Sequence, residues 1–382
     1  MSTLFIIAGE VSGDEHGALL VRELKARRPD LRVVGGGGPR MAAAGAEVVV
    51  DTTPHATVGI FETLQRFGAY SKSYHVLLAA LRREKPDAAV LIDYPDFNLR
   101  FAERVKDQGT PLVYYISPQL WAWREGRVAT VKRLVDRMVV IFPFEEEFYR
   151  QRGVDAVFVG HPLVERLDAV PGREEARKAV GEACGLAPGA RLVGLLPGSR
   201  RKEFQRHFPI LKEAASRIAQ ALPGTEFVLG CASGVDPAWV TPPIRAVTGL
   251  THELMRASDL LLVKSGTSTF EAAMLGAPMI VFYRVSLLTA WTLGPLIRTD
   301  TFAMANILAG RKVVPELMQN DCTAEKIAAE AVRMFGEGRL AEVRQDLAAV
   351  RARLGPPGAA GRAADEVLRV MDGATSPARP GR

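Results

Sequence analysis

Several things are scarce in this sequence, and each absence narrows the reading. Only three cysteines, Cys184, Cys231 and Cys322, are spread over 382 residues. With no CxxC pair and no His–Cys cluster, neither a disulfide framework nor a thiolate zinc site is indicated. Reduced thiols fit a cytoplasmic protein. No run approaches 18 consecutive apolar residues, so no membrane-spanning helix is predicted. The apolar start Leu4–Ala8 lacks a basic leader and is too short for a secretion signal. Six histidines are scattered, and no Ser–His–Asp or Cys–His set can be assembled from their order. His16 and His161 therefore read as structural. No GxGxxG fingerprint follows the early strands, which weakens a dinucleotide-binding reading.

What is present describes a globular chain. Apolar residues make up 48% and charged residues 24%, and the length suits two domains of ordinary size. The formal charge is +6. Such a modest basic excess suits phosphate ligands or an anionic membrane surface as well as nucleic acid.

Strand and helix patterns alternate from the first residues. Strands are predicted at Thr3–Gly9, Leu31–Gly35, Glu47–Val50, Asp87–Asp93, Leu112–Ile116, Arg137–Phe142 and Ala156–Gly160. A charged, Gly/Pro-bearing segment interrupts the pattern near Asp168–Pro188. Strands resume at Leu192–Leu196, Glu226–Gly230, Leu260–Val263 and Met279–Tyr283. Helices are predicted at Gly17–Arg28, Ile210–Leu222, Ala324–Phe335, Leu340–Leu354 and Arg362–Val370. Alternation of this kind predicts an α/β chain with two doubly wound parallel sheets and a cleft between domains. The expected partition is a first domain over 1–165 and a second over 166–336. Helices over 337–372 would pack back on the first domain, and a Gly/Pro/Ser-rich tail over 373–382 would be disordered.

The sharpest chemical signal is Ile92-Asp93-Tyr94-Pro95-Asp96. An apolar strand ends in two carboxylates and a proline expected to stop regular structure. In parallel sheets the carboxyl ends of strands face the ligand. Asp96 is the candidate general base, with Asp93 in support. A metal role lacks a third ligand, and a strand-end cap remains a rival for Asp93. The first strand is followed by Gly9-Glu10-Val11-Ser12-Gly13-Asp14, a loop whose Ser12 and Gly13 could meet a ligand, or else a turn capped by Ser12 or Asp14. In the second half, Pro197-Gly198-Ser199-Arg200-Arg201-Lys202 reads as a diphosphate clamp or a solvated basic loop. Lys264-Ser265-Gly266-Thr267-Ser268-Thr269-Phe270-Glu271 reads as an anion site at a helix start. Ser268 and Glu271 also match a capping box, so Glu271 is either a ribose ligand or a cap. Val58–Phe67 has helical apolar spacing, either core-facing or lying in a membrane interface. Trp121 and Trp123 would line an acyl or sugar site, or sit in the core as large aromatics usually do.

Taken in order, these motifs resemble the lipid-A-disaccharide synthase family. The matching pieces are Ala8–Asp14, Gly37–Met41, Ile92–Asn98, Ser117–Arg124, Leu196–Arg200, Ser265–Glu271, Arg298-Thr299-Asp300 and Asn306–Arg311. The resemblance implies a GT-B glycosyltransferase with two Rossmann-like domains. Its substrates would be UDP-2,3-diacylglucosamine and 2,3-diacylglucosamine 1-phosphate (lipid X), its product an inverted, β-1′,6-linked disaccharide phosphate plus UDP. It implies no metal, no cofactor and no nucleic acid partner. The work would be done at the cytoplasmic face of the inner membrane, peripherally. Arg200 would then stabilise the leaving diphosphate beside Gly198, Ser199, Ser265, Gly266, Thr267 and Ser268. Glu271 would hold the ribose, Asn306 and Arg311 would line the same cleft, and Ser12, Gly13 and Asp93 would lie on the acceptor side. Ile60, Phe61, Leu64 and Phe67 would face membrane or acyl chains. The family's C-terminal helices pack on the first domain or exchange between subunits, which implies a homodimer as one arrangement. Departures occur at Val11, Thr57-Val58-Gly59 and Ala303-Met304-Ala305, and the proline-rich tail has no counterpart. A UDP-sugar epimerase or hydrolase on the same fold is the alternative; Asp96 and Trp121 fit the lipid transferase better. A non-catalytic nucleotide-sugar or lipid binder is the third reading, opposed by Asp96, Arg200 and Glu271.

Overall fold

The computed structural model describes residues 2–53, 60–123, 125–284, 301–336 and 338–373. The chain divides into two compact units, Met1–Pro162 with Leu354–Arg382, and Leu163–Arg353. The helix Arg339–Ala352 thus belongs to the second unit, and only the helix Ala359–Met371 returns to the first.

The first unit holds a seven-stranded sheet in the order β3-β2-β1-β4-β5-β6-β7. Its strands are β1 (Thr3–Ala8), β2 (Arg32–Gly37), β3 (Glu47–Asp51), β4 (Ala88–Ile92), β5 (Leu112–Tyr115), β6 (Arg137–Val140) and β7 (Ala156–Phe158). The second unit holds a six-stranded sheet in the order β10-β9-β8-β11-β12-β13. There the strands are β8 (Arg191–Leu196), β9 (Thr225–Cys231), β10 (Ile244–Thr248), β11 (Leu260–Lys264), β12 (Met279–Tyr283) and β13 (Glu316–Met318). Every pairing is parallel. Parallel strands are covered on both faces and so read as continuous apolar runs. β4 shows this directly, with all five residues buried.

The strand order reverses between β1 and β4, and again between β8 and β11. Those switch points are where α/β sheets bind ligands, at the carboxyl ends of the strands. Two strands escaped the sequence reading. β10 buries only Ile244 and Val247 of its five residues, and β13 is only three residues long.

Four helices frame the first switch point: α1 (Glu10–Arg27), α2 (Pro39–Ala43), α3 (Ile60–Glu84) and α4 (Pro95–Asp107). Pro95 occupies the first turn of α4. The proline expected to end structure instead begins a helix, because its missing N–H is one a helix start leaves unpaired anyway. An aromatic stack holds α4 down. Phe97 lies 5.3 Å from Tyr94, 5.0 Å from Tyr70 and 6.1 Å from Phe101, ring centre to ring centre. Phe97 and Phe101 are fully buried, and Phe101 stacks on Phe5 of β1.

The helix Ala359–Met371 docks on α1 of its own chain. Arg27 Nε donates to Asp365 at 2.6 Å, and Arg28 pairs with Asp372 at 2.9 Å. The side chains of Ile60, Phe61, Leu64, Phe67 and Trp123 lie outside the described residues. So do Val58, Gly59, Arg298–Asp300 and the tail beyond 373. Among the described residues no helix is long and apolar enough to cross a membrane.

Candidate active site

At the first switch point, β1 and β4 run side by side with Ala8 opposite Ile92. Both chains leave the sheet under strain. Glu10 has φ 66°, Asp93 has φ 46° and Tyr94 has φ 48°. Non-glycine residues pay for the left-handed region and persist there only when their surroundings over-determine them. Gly9 explains part of this, since a Cβ there would come within 2.3 Å of the Tyr94 ring.

Glu10 and Asp93 are thus two carboxylates at adjacent strand ends. Burial, and then the charge of Glu10, pushes Asp93 up to about 6. A carboxylate tuned in this way is ionised near neutrality and still basic enough to accept a proton. Asp96 sits one turn further on, in the first turn of α4. Its side chain is 69% exposed and its carboxylate pairs with Arg127 at 2.7 Å. The carboxylate favoured in the sequence is therefore committed to a guanidinium in solvent, while the supporting one sits in the strained turn.

The predicted loop Gly9–Asp14 is not a loop. α1 begins at Glu10, with Gly9 as N-cap and no side-chain cap. Ser12 is exposed in the first turn and Gly13 is buried. Asp14 does not cap its own helix. It accepts from the N–H groups of Gly38, Arg40 and Met41 at 2.8, 3.0 and 3.0 Å and so caps α2.

Nearby, the Ser117–Trp121 segment follows β5. Ser117 Oγ and Trp121 Nε1 donate to Glu145 at 2.7 and 3.3 Å. Glu145 is 1% exposed, and burial pushes it up to about 7. Trp121 is half-buried against Phe144. Glu145 went unnoticed in the sequence because it looks like an ordinary charge on the helix Pro143–Gln151.

At the second switch point, Leu196 of β8 stands opposite Val263 of β11. Gly198 has φ 118°, and a Cβ there would strike Glu203. Arg200 is the N-cap of the helix Arg201–Ala221 and its side chain is 67% exposed. Glu203 collects the local cations. It accepts from the Ser199 N–H at 3.1 Å and from Lys264 Nζ at 3.1 Å, and Arg200 lies 3.7 Å away. Burial pushes Glu203 up, but Lys264 and then Arg200 outweigh it and hold the carboxylate below its usual range.

Ser265, Gly266, Thr267 and Ser268 lead into the helix Thr267–Met274, whose N-cap is Gly266 with no side-chain cap. Ser268 is therefore inside the helix, which removes the capping-box reading of Glu271. The Glu271 carboxylate instead accepts from Arg166 at 2.6 Å, with His252 Nε2 at 3.6 Å.

Two expected ligands turn out to be otherwise engaged. Asn306 is 1% exposed. Its Oδ1 accepts from Val313 and Val314 N–H at 2.7 and 2.9 Å. Its Nδ2 donates to the Val314 carbonyl at 2.9 Å and to Glu316 at 2.8 Å. With each polar atom doubly paired, Asn306 braces the second unit. Arg311 pairs with Asp346 at 2.5 Å.

Each sheet thus carries a distinct chemistry at its switch point. One has paired carboxylates; the other has glycine, hydroxyls and cations. That arrangement defines a two-unit α/β protein with a doubly wound parallel sheet in each unit. Solved structures share the fold. A putative UDP-N-acetylglucosamine 2-epimerase from Listeria monocytogenes aligns with TM-score 0.64 at 16% identity, covering 100% of this chain and 98% of its own. A calicheamicin glycosyltransferase aligns with TM-score 0.59 at 17% identity, covering 99% and 100%.

The sequence resolves the class to a family. A model of the lipid-A-disaccharide synthetase family matches residues 4–357. The lipid-A-disaccharide synthase of Geobacter sulfurreducens is 44% identical over 377 residues, 96% of this chain and 97% of that protein. The chain belongs to this family.

Proposed function

We propose that this chain is an inverting hexosyltransferase that joins UDP-2,3-diacylglucosamine to 2,3-diacylglucosamine 1-phosphate, forming lipid A disaccharide 1-phosphate and UDP. The observation that carries the proposal is family membership across residues 4–357. The epimerase or hydrolase alternative has only fold likeness behind it.

The first unit supplies the base. The acceptor's 6-hydroxyl gives its proton to Asp93 as its oxygen attacks the anomeric carbon of the donor. The bond from that carbon to the diphosphate breaks on the opposite face, which inverts the centre. Asp93 takes this role from Asp96 because it is the carboxylate with a raised proton affinity at the strand end. Asp96 serves by holding Arg127 at the start of α4.

The second unit supplies the counter-charge. Negative charge grows on the leaving diphosphate, where preorganised donors lower the barrier most. Arg200, Lys264, the Ser199 N–H and the free N–H groups at Thr267 and Ser268 are the donors offered. Glu203 holds the Ser199 N–H and Lys264 until the diphosphate replaces it. Glu271 binds the ribose by exchanging its hold on Arg166.

Both substrates carry acyl chains, so the chain works peripherally at the inner-membrane surface. Its net charge of +6 suits anionic headgroups.

The experiment is direct. Purified protein is incubated with UDP-diacylglucosamine and lipid X, with chelator present, and disaccharide phosphate is followed by mass spectrometry. Product with stoichiometric UDP supports the proposal. UDP-sugar consumed without lipid X, or no product at any acyl length, favours the alternative.

A further inference from the structure

Asp93 and Tyr94 are consecutive non-glycine residues with left-handed backbones. Such residues are costly, and a pair needs an external clamp. Two buried side chains converge on one atom of that turn. Asn98 Nδ2 donates to the Asp93 carbonyl at 2.7 Å, and Tyr114 Oη donates to the same oxygen at 2.6 Å. The Asn98 amide also reaches the Ile92 carbonyl at 3.0 Å. It therefore spans the last residue of β4 and the first strained residue.

Asn98 and Tyr114 are both fully buried. Asn98 is not the cap of α4, whose N-cap is Tyr94 without a side-chain bond. Among the described residues the Asn98 Oδ1 has no hydrogen-bond partner. Leaving a buried acceptor unpaired carries a desolvation penalty. Turning the amide over would set Oδ1 against two carbonyl oxygens, so the orientation is forced by its donors. A buried amide that tolerates an unpaired acceptor is held in place by what its N–H groups do. The charged groups around the turn are Glu10 on α1, Asp96 on α4, and Arg127, which pairs with Asp96.

We infer that Asn98, with Tyr114 as second donor, is a positioning residue that locks the strained Asp93–Tyr94 turn and so fixes the direction of the Asp93 carboxylate. This rests on the assignment of Asp93 as base. Asparagine has the right length and two N–H groups for two successive carbonyls. Aspartate would offer oxygens to oxygens, and alanine would reach neither.

The test uses the full chain with Asn98→Ala and Tyr114→Phe. Four quantities are measured for each: kcat, the donor KM, the pH profile of kcat, and UDP affinity by calorimetry. Asn98→Ala should lose roughly 100-fold in kcat and Tyr114→Phe roughly 10-fold, since one misplaced group can cost that much. Donor KM and UDP affinity should stay within twofold, and the acid limb of kcat should move toward lower pH as the carboxylate relaxes into water. Should Asn98→Ala fail to fold, Tyr114→Phe carries the same readouts. The inference is overturned if Tyr114→Phe keeps kcat and the acid limb unchanged, or if UDP affinity falls in step with kcat. Asp93→Asn separates the two layers. Full turnover in that variant removes the base assignment itself. A dead Asp93→Asn beside an unperturbed Tyr114→Phe removes only the clamp.

Discussion

The two switch points are built on opposite principles. At β1 and β4 the backbone is strained, and the acidic group at its centre is packed, clamped and raised in proton affinity. At β8 and β11 the backbone is glycine-opened, and Arg200 stands in solvent with its nearest carboxylate 3.7 Å away. A base must point one way with a tuned proton affinity, so rigidity serves it. A diphosphate site must receive and release a large anion each cycle, so exchangeable partners serve it. Glu203 gathers the Ser199 N–H and Lys264 there, the donors proposed for the diphosphate.

The comparison can be broken at several points. Beyond the carboxylates themselves, the largest effect is expected at the open end. Arg200→Ala should lower kcat/KM by about 10²–10³, the cost of removing one preorganised donor to developing charge. Steady-state kinetics on the donor checks this, and a loss under fivefold would move the leaving-group role elsewhere. Next comes Asn306, assigned here as a strut. Asn306→Ala leaves two backbone N–H groups and a carbonyl unpaired, at about 1–3 kcal/mol for such groups. The melting temperature should fall by several degrees while donor KM stays within twofold. A KM change without a stability change would restore the ligand reading.

A smaller effect concerns the rigid end's proton balance. Burial raises Glu145 to about 7 from an ordinary value of 4.5. The folded chain then binds that proton more tightly than the unfolded chain. The contribution is fully present below pH 4.5 and is lost as pH rises through about 7. Denaturant midpoints of the wild type should therefore drift downward across that window, and Glu145→Gln should flatten the drift. An identical slope in both proteins would remove Glu145 as its source. The smallest effect is expected for Arg311→Ala, whose partner Asp346 is a surface ion pair of little net worth. Turnover should stay within threefold.

How much was legible beforehand follows the same division. The buried strands announced themselves as apolar runs, because parallel strands covered on both faces need no alternation. β10 and β13 lacked that signature, one largely open to solvent and one too short. At the second switch point the sequence placed the Gly198–Arg200 and Ser265–Ser268 segments after the strands that became β8 and β11, because apolar runs mark those strand ends. The first was readable only in part. Asp93 and Asp96 look alike in a sequence, and their difference comes from φ angles, burial and Arg127, all set by tertiary packing. Glu10 was hidden by the expectation of a loop where α1 begins. The pairing of Asn306 was also hidden, because a buried, fully paired amide and an open one share one letter.

The account turns on which carboxylate takes the proton, and one measurement addresses it. Turnover of Asp93→Asn and Asp96→Asn is compared under saturating donor and acceptor, with UDP affinity determined for both. The account predicts that Asp93→Asn falls by about 10³-fold or more with UDP binding intact, while Asp96→Asn stays within roughly tenfold of the wild type. The reverse order would contradict it.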